Sequence, residues 1–168
     1  MNVGMKLTAV VDSSPLINLV HLELAERLHF YFDTIYVPRM VQTEVNKKSK
    51  FRHRLNKLYS KGVFKRCVVG DPVSVQFLEE LDPGEAEALI QASEMGVAVF
   101  IGDEKDARSM SERRGIRPIG TARLLARMHL EGYAGETGTL VRKLRHDLNC
   151  RIADQVVQDA IRVAARPL

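Results

Sequence analysis

The chain has 168 residues, 45% hydrophobic and 27% charged, with a formal net charge of +4, the composition of a globular domain large enough to bury a core. No apolar run approaches the roughly 20 residues that span a bilayer, and Met1 to Leu7 is too short and mixed for a signal peptide. Two cysteines, Cys67 and Cys150, are too few for a disulfide framework or a zinc site and fit a reduced cytoplasm, and the absence of Trp argues against an aromatic base-stacking platform.

Thr8 to Val11 is suited to a buried strand and runs straight into Asp12. Ser14 is then placed as an N-cap and Pro15 as a first helical residue, with an apolar stripe from Leu16 to Leu28 that predicts a helix over 15–28, broken near His21. Thr34 to Val37 is a short strand. Pro38 opens a helix in which Met40, Val41, Glu44 and Val45 share one face, so that Glu44 is a carboxylate inside an apolar stripe and must be paired, ligated or at a cleft rim. From there to Asp71 the chain has no acid but nine Lys and Arg, beginning Lys47, Lys48, Lys50, Arg52 and Arg54. One sign over such a length suggests a polyanion or an acidic partner, with a solvated basic face as the plainer reading.

Val63 to Val69 reads as a strand, and a short helix follows through Val75 and Leu78. Asp82-Pro83-Gly84-Glu85 has the form of a helix start with a capping box, placing Glu85 on the side of Leu89 and Ala92 and pointing Glu87 away. Val97 to Ile101 is the strongest strand and feeds Gly102-Asp103, after which a helix begins through Lys105, Asp106 and Met110. Ile116 to Ile119 is a further strand, and Gly120-Thr121 opens a helix. Two more helices follow, the last with a clean apolar stripe from Ile152 to Ala164.

Strands alternating with helices of about 10 to 15 residues imply βαβ units and a mostly parallel sheet. Right-handed crossovers then put Asp12 and Asp103 at one edge. Each acid also has a local explanation: Asp12 as a turn or capping residue, Asp103 as an N-cap, Glu85 as a capping-box partner, Glu44 in a salt bridge to Arg39 or Lys48. No capping argument brings all four together. If they meet, repulsion raises their pKa values unless a cation compensates, and clustered carboxylates suit Mg²⁺ or Mn²⁺. Such ions activate water for in-line phosphodiester hydrolysis, and Lys47, Lys48, Lys50, Arg52 and Arg54 would hold a phosphate backbone. Ser13 is placed to hydrogen-bond a bound water or carboxylate. Walker A, Gly-x-Gly-x-x-Gly and Gly-x-Ser-x-Gly motifs are absent from the sequence, which argues against P-loop, dinucleotide and serine-hydrolase sites.

Val10 to Ile17 around Asp12, Glu44 beside Val45, Leu81 to Ala88 around Glu85, and Ile101-Gly102-Asp103 together resemble the PIN-domain nucleases, closest to the prokaryotic branch of VapC toxins. The resemblance covers about residues 8–130 and rests on the order and spacing of four motifs. It implies a three-layer α/β/α sandwich around a mostly parallel sheet, a single domain over 1–168 with a helical extension over 131–168, and a Mg²⁺- or Mn²⁺-dependent endoribonuclease. Asp12, Glu44, Glu85 and Asp103 match the family's four acids, as catalytic and metal-binding residues, and Asp106 matches a variable accessory position. Many members carry Thr or Ser where Gly102 stands, which puts one hydrogen bond to the site in question. VapC-type proteins usually pair with an antitoxin encoded alongside and often dimerise, so the resemblance implies RNA, an antitoxin and a second copy as partners.

Two rival readings remain: a PIN-like module that binds nucleic acid or protein without cleaving, and a phosphatase or phosphotransfer domain using Asp12 and Lys105. Ser14, where the latter would carry a second Asp, weakens it.

Overall fold

The computed structural model describes residues 6–68, 70 and 80–168. Five parallel strands form one sheet in the order β3-β2-β1-β4-β5. They are β1 (Leu7–Val11), β2 (Phe32–Pro38), β3 (Phe64–Cys67), β4 (Val99–Ile101) and β5 (Arg117–Ile119). Helices cover both faces: α1 (Ser13–His21), α2 (Arg39–Asn46), α3 (Ser49–Ser60), α4 (Pro83–Met95), α5 (Lys105–Arg113), α6 (Thr121–Leu130), α7 (Thr137–Leu148) and α8 (Asp154–Arg162). This is the expected α/β/α sandwich. The short helix expected through Val75 and Leu78 lies outside the described residues.

Covering both faces explains why Ala9, Val10 and Val11 are all fully buried, as a parallel strand requires. Successive side chains point to opposite layers. Val10 and Phe100 pack with Leu89, Ala92 and Ala107 from α4 and α5. Ala9, Val11, Val99 and Ile101 pack with Leu16, Leu19, Leu124 and Leu125 from α1 and α6.

Several boundaries differ from the sequence expectation, while the break expected near His21 is present. The first helix begins at Ser13 and stops at His21, because Glu23 takes a left-handed φ of 61°. A 3₁₀ segment, Ala25–Phe30, then carries the chain to β2. In β4, Val97 is not strand: α4 ends at Gly96 with φ 61°, and the Val97 N–H closes that helix end onto Ala92 O at 3.2 Å. The strand over 63–69 is shorter, Phe64–Cys67.

β1 pairs with β2 on one side and β4 on the other, and the chain departs in opposite directions from this point. In an open α/β sheet the crevice at the carboxyl ends of such strands is where ligands bind. Asp12 follows β1 directly, and Asp103 lies two residues past β4.

Candidate metal and catalytic site

Asp12 is itself the N-cap of α1, with extended backbone (φ −83°, ψ 167°), and its carboxylate accepts from the Ser13 N–H at 2.8 Å. Ser14 is therefore not the cap, and Ser13 contributes that backbone donor from a buried position. The Asp12 N–H donates to Ile101 O at 2.9 Å, which fixes the acid against β4. Asp12 is only 3% exposed. Burial pushes its carboxyl up to about 7; the Ser13 N–H counteracts this, and the charges of Glu85, Glu44 and Asp103 add to it. Three of the acids predicted to share a crevice, Glu44, Glu85 and Asp103, thus act electrostatically on the fourth, Asp12.

Asp103 is not the cap of the following helix, a position that Glu104 occupies. Its carboxylate instead accepts from the Thr121 N–H and hydroxyl, both at 2.7 Å, and from the Asn18 amide at 3.2 Å. Burial raises its pKa, while these donors and the Arg108 guanidinium pull the other way. Asn18 is 4% exposed and Thr121 fully buried; the Asn18 amide also donates to Thr121 Oγ1 at 3.3 Å and meets Cys150 Sγ at 3.6 Å. Neither Asn18 nor Thr121 was singled out from sequence as a site residue. The available signals were a polar Asn on the buried face of α1 and a Thr opening a helix at a strand end.

Gly102 has a steric cause. A Cβ there would lie 2.3 Å from Phe100 Cε1, and Phe100 is fully buried, so a Thr or Ser would have to displace a core ring. Thr121 and Asn18 supply hydroxyl and amide donors to Asp103 from elsewhere in the fold.

Glu85 is 8% exposed and accepts from the Asp82 N–H at 3.3 Å, its half of the capping box. Burial raises its pKa, that hydrogen bond opposes the shift, and the charges of Asp82, Glu104 and Asp106 add to it. Glu44 is half-buried on α2 and reaches the first turn of α4: a Cβ on Gly84 would lie 2.7 Å from Glu44 Oε1. Among the described residues Glu44 makes no salt bridge to Arg39 or Lys48. Glu87 does not point away; its carboxylate accepts from the Met40 N–H at 3.2 Å, joining α4 to the start of α2. Asp106 is exposed in the first turn of α5.

The basic segment runs from the end of α2 through α3 into β3. Lys47, Lys48, Lys50 and Arg52 are exposed, with Lys50 4.9 Å from the centre of the Phe51 ring. Arg54 is turned to the protein, donating to Val20 O at 3.1 Å and to Glu23 at 2.9 Å. Lys61 pairs with Glu26. Part of the one-sign stretch is thus neutralised by acids near the end of α1, which sequence spacing alone does not reveal.

A hard divalent cation fits this donor set. The acids are oxygen ligands, Asp12 is buried and raised by three like charges, and the Arg108 guanidinium acts on Asp103. Among the described residues no three Asp, Glu, His or Cys side chains are drawn together as a finished ligand shell.

The fold and this crevice define a parallel α/β domain with an acidic site at its switch point. The family model DUF3368, a PIN domain, matches residues 8–166, and the chain belongs to the PIN-domain family. No curated protein matches it. PIN domains are generally nucleases and typically use divalent metals. No helix among the described residues is long and apolar enough to cross a membrane.

Proposed function

We propose that the protein is a Mg²⁺- or Mn²⁺-dependent endoribonuclease acting in the cytoplasm. The observation that carries this reading is Asp12: a buried carboxyl pushed up to about 7, with Glu44, Glu85 and Asp103 all acting on it in a PIN domain. Asp12 and Asp103 would hold the ion, with Glu44 and Glu85 completing the site directly or through water and Asp106 as an accessory. Bound there, a divalent ion supplies charge neutralisation at the scissile phosphate and a water of lowered pKa.

The chain's own groups do the rest. Thr121 and Asn18 fix both carboxylate oxygens of Asp103, so its orientation is set before any ligand arrives. The Ser13 N–H fixes Asp12. Glu85 and Glu44 orient the attacking water through their carboxylates. The motif resemblance supports a VapC-type toxin with a cognate antitoxin, acting as a homodimer.

The test is cleavage of end-labelled single-stranded and structured RNA by the full chain in Mn²⁺. Products that vanish with EDTA and with Asp12→Asn establish the nuclease. A second reading, a binding module that does not cleave, is favoured by the lack of a finished ligand shell among the described residues. It predicts RNA binding that survives Asp12→Asn, with no products.

A further inference from the structure

Beside Asp103 a cleft of about 680 Å³ opens between α5 on one side and α6 and α8 on the other, with β5 along its floor. Six cations line it: Lys105, Arg108, Arg117, Arg123, Arg151 and Arg162. Its acids are Asp103, Glu104 and Asp159. Asp103 is engaged by Thr121 and Asn18, and Asp159 by Arg162 at 2.9 Å. Lys105, Arg117 and Arg151 are exposed and form no ion pair with described residues. The charge imbalance therefore sits in the cleft itself, on three separate parts of the chain, and its lining includes Asp103, an acid of the candidate site.

We infer that this cleft is the track for the phosphate backbone of a single-stranded nucleic acid, leading to Asp103, with α8 as one wall. Only its direction toward Asp103 rests on the nuclease reading; binding in the cleft does not. Unpaired cations along a groove supply the sequence-independent part of nucleic-acid affinity, and Ile152 and Val156 provide apolar surface for ribose and base edges.

The alternative occupant is a peptide added to the free edge of β5, and the backbone disfavours it. The Arg117 N–H donates to Ala98 O at 3.1 Å, and Ile119 O accepts from the Gly102 N–H at 3.0 Å. Residues 117 and 119 therefore face β4, and residue 118 faces the free edge. Residue 118 is proline and has no N–H to offer an added strand. The one-sign stretch of sequence is the competing location for the track, although Arg54 and Lys61 there are already held by Glu23 and Glu26.

The test is the affinity of the full chain for a fluorescein-labelled oligouridylate, in EDTA to prevent turnover and over a range of salt. Arg117→Ala with Arg151→Ala changes two exposed side chains, and thermal melting checks the fold. We expect roughly tenfold weaker binding and a salt slope shallower by about 1.4, the release expected from two single-strand phosphate contacts. Lys48→Ala with Lys50→Ala on α3 should leave both quantities near wild type. Loss with the α3 pair and none with the cleft pair overturns the inference. So does equal competition by oligoglutamate, or no wild-type binding at low salt. Binding that depends on the cleft, in a protein that never cleaves, supports the track and removes the nuclease reading instead.

Discussion

Thr121 grips Asp103 with two donors, its N–H and its hydroxyl, each 2.7 Å from a different carboxylate oxygen. The contact joins the end of β4 to the start of α6 and makes the first turn of that helix part of the acidic site. Replacing Thr121 with Val keeps the shape and the N–H but removes the hydroxyl. A buried hydrogen bond to a charged acceptor is worth about 1.5–3 kcal/mol, so Thr121→Val should lower stability by about that amount in thermal or urea melts. Metal-dependent cleavage should fall more than stability explains, because Asp103 loses its orientation.

Asp12 makes metal-free stability depend on pH with a definite sign. Its carboxyl rises from 3.8 to about 7 on folding, so between these values the folded chain holds more protons than the unfolded one. Stability from this group is full below about pH 4 and is lost as pH rises toward 7; burial raises Asp103 and Glu85 in the same direction. Asp12→Asn removes the cost while retaining an acceptor for the Ser13 N–H. At pH 8 without metal the variant should melt higher than wild type, by a difference on the order of a few kcal/mol, and at pH 4 the two should nearly coincide.

Gly84→Ala places a Cβ 2.7 Å from Glu44 Oε1. The atom it meets is the far end of a flexible side chain, so the protein should fold with a melting temperature close to wild type. The Glu44 carboxylate must move. Cleavage should drop toward the level of Glu44→Gln, and a double variant should be no worse than either single one if both act through that carboxylate.

Gly102→Ser is expected to behave oppositely. Its Cβ would stand 2.3 Å from a ring atom of Phe100, which is fully buried, so the ring must shift within the core. Overpacking of this kind costs about 1–3 kcal/mol or more. Urea denaturation should show the loss directly, and restoring a hydroxyl beside Asp103 should not raise activity.

Much of this molecule was legible in the sequence because its signals are local. Each strand-to-helix junction carries its own punctuation, and Asp12 and Asp103 follow directly from where buried strands end. Asn18 and Thr121 were not legible as partners of Asp103, since they lie 85 and 18 residues from it in sequence and meet it only through packing. Asp12 as cap was misplaced by two residues, because Ser14-Pro15 is an equally good local start and only the Ser13 N–H to Asp12 bond decides. The cationic cleft beside β5 draws its charges from residues 105–162, too dispersed to stand out, whereas the conspicuous run around Arg54 is partly neutralised by Glu23 and Glu26, which lie just after α1.

The central claim is that Asp12, Glu44, Glu85 and Asp103 together hold a divalent ion, and binding of Mn²⁺ followed by its electron paramagnetic resonance signal tests it most directly. At pH 8 the account predicts a saturable loss of free Mn²⁺ signal with the wild-type chain, reversed by Mg²⁺, greatly weakened by Asp12→Asn and accompanied by a rise in melting temperature. A folded wild-type chain that leaves the Mn²⁺ signal unchanged, or that binds the ion as well after Asp12→Asn, contradicts it.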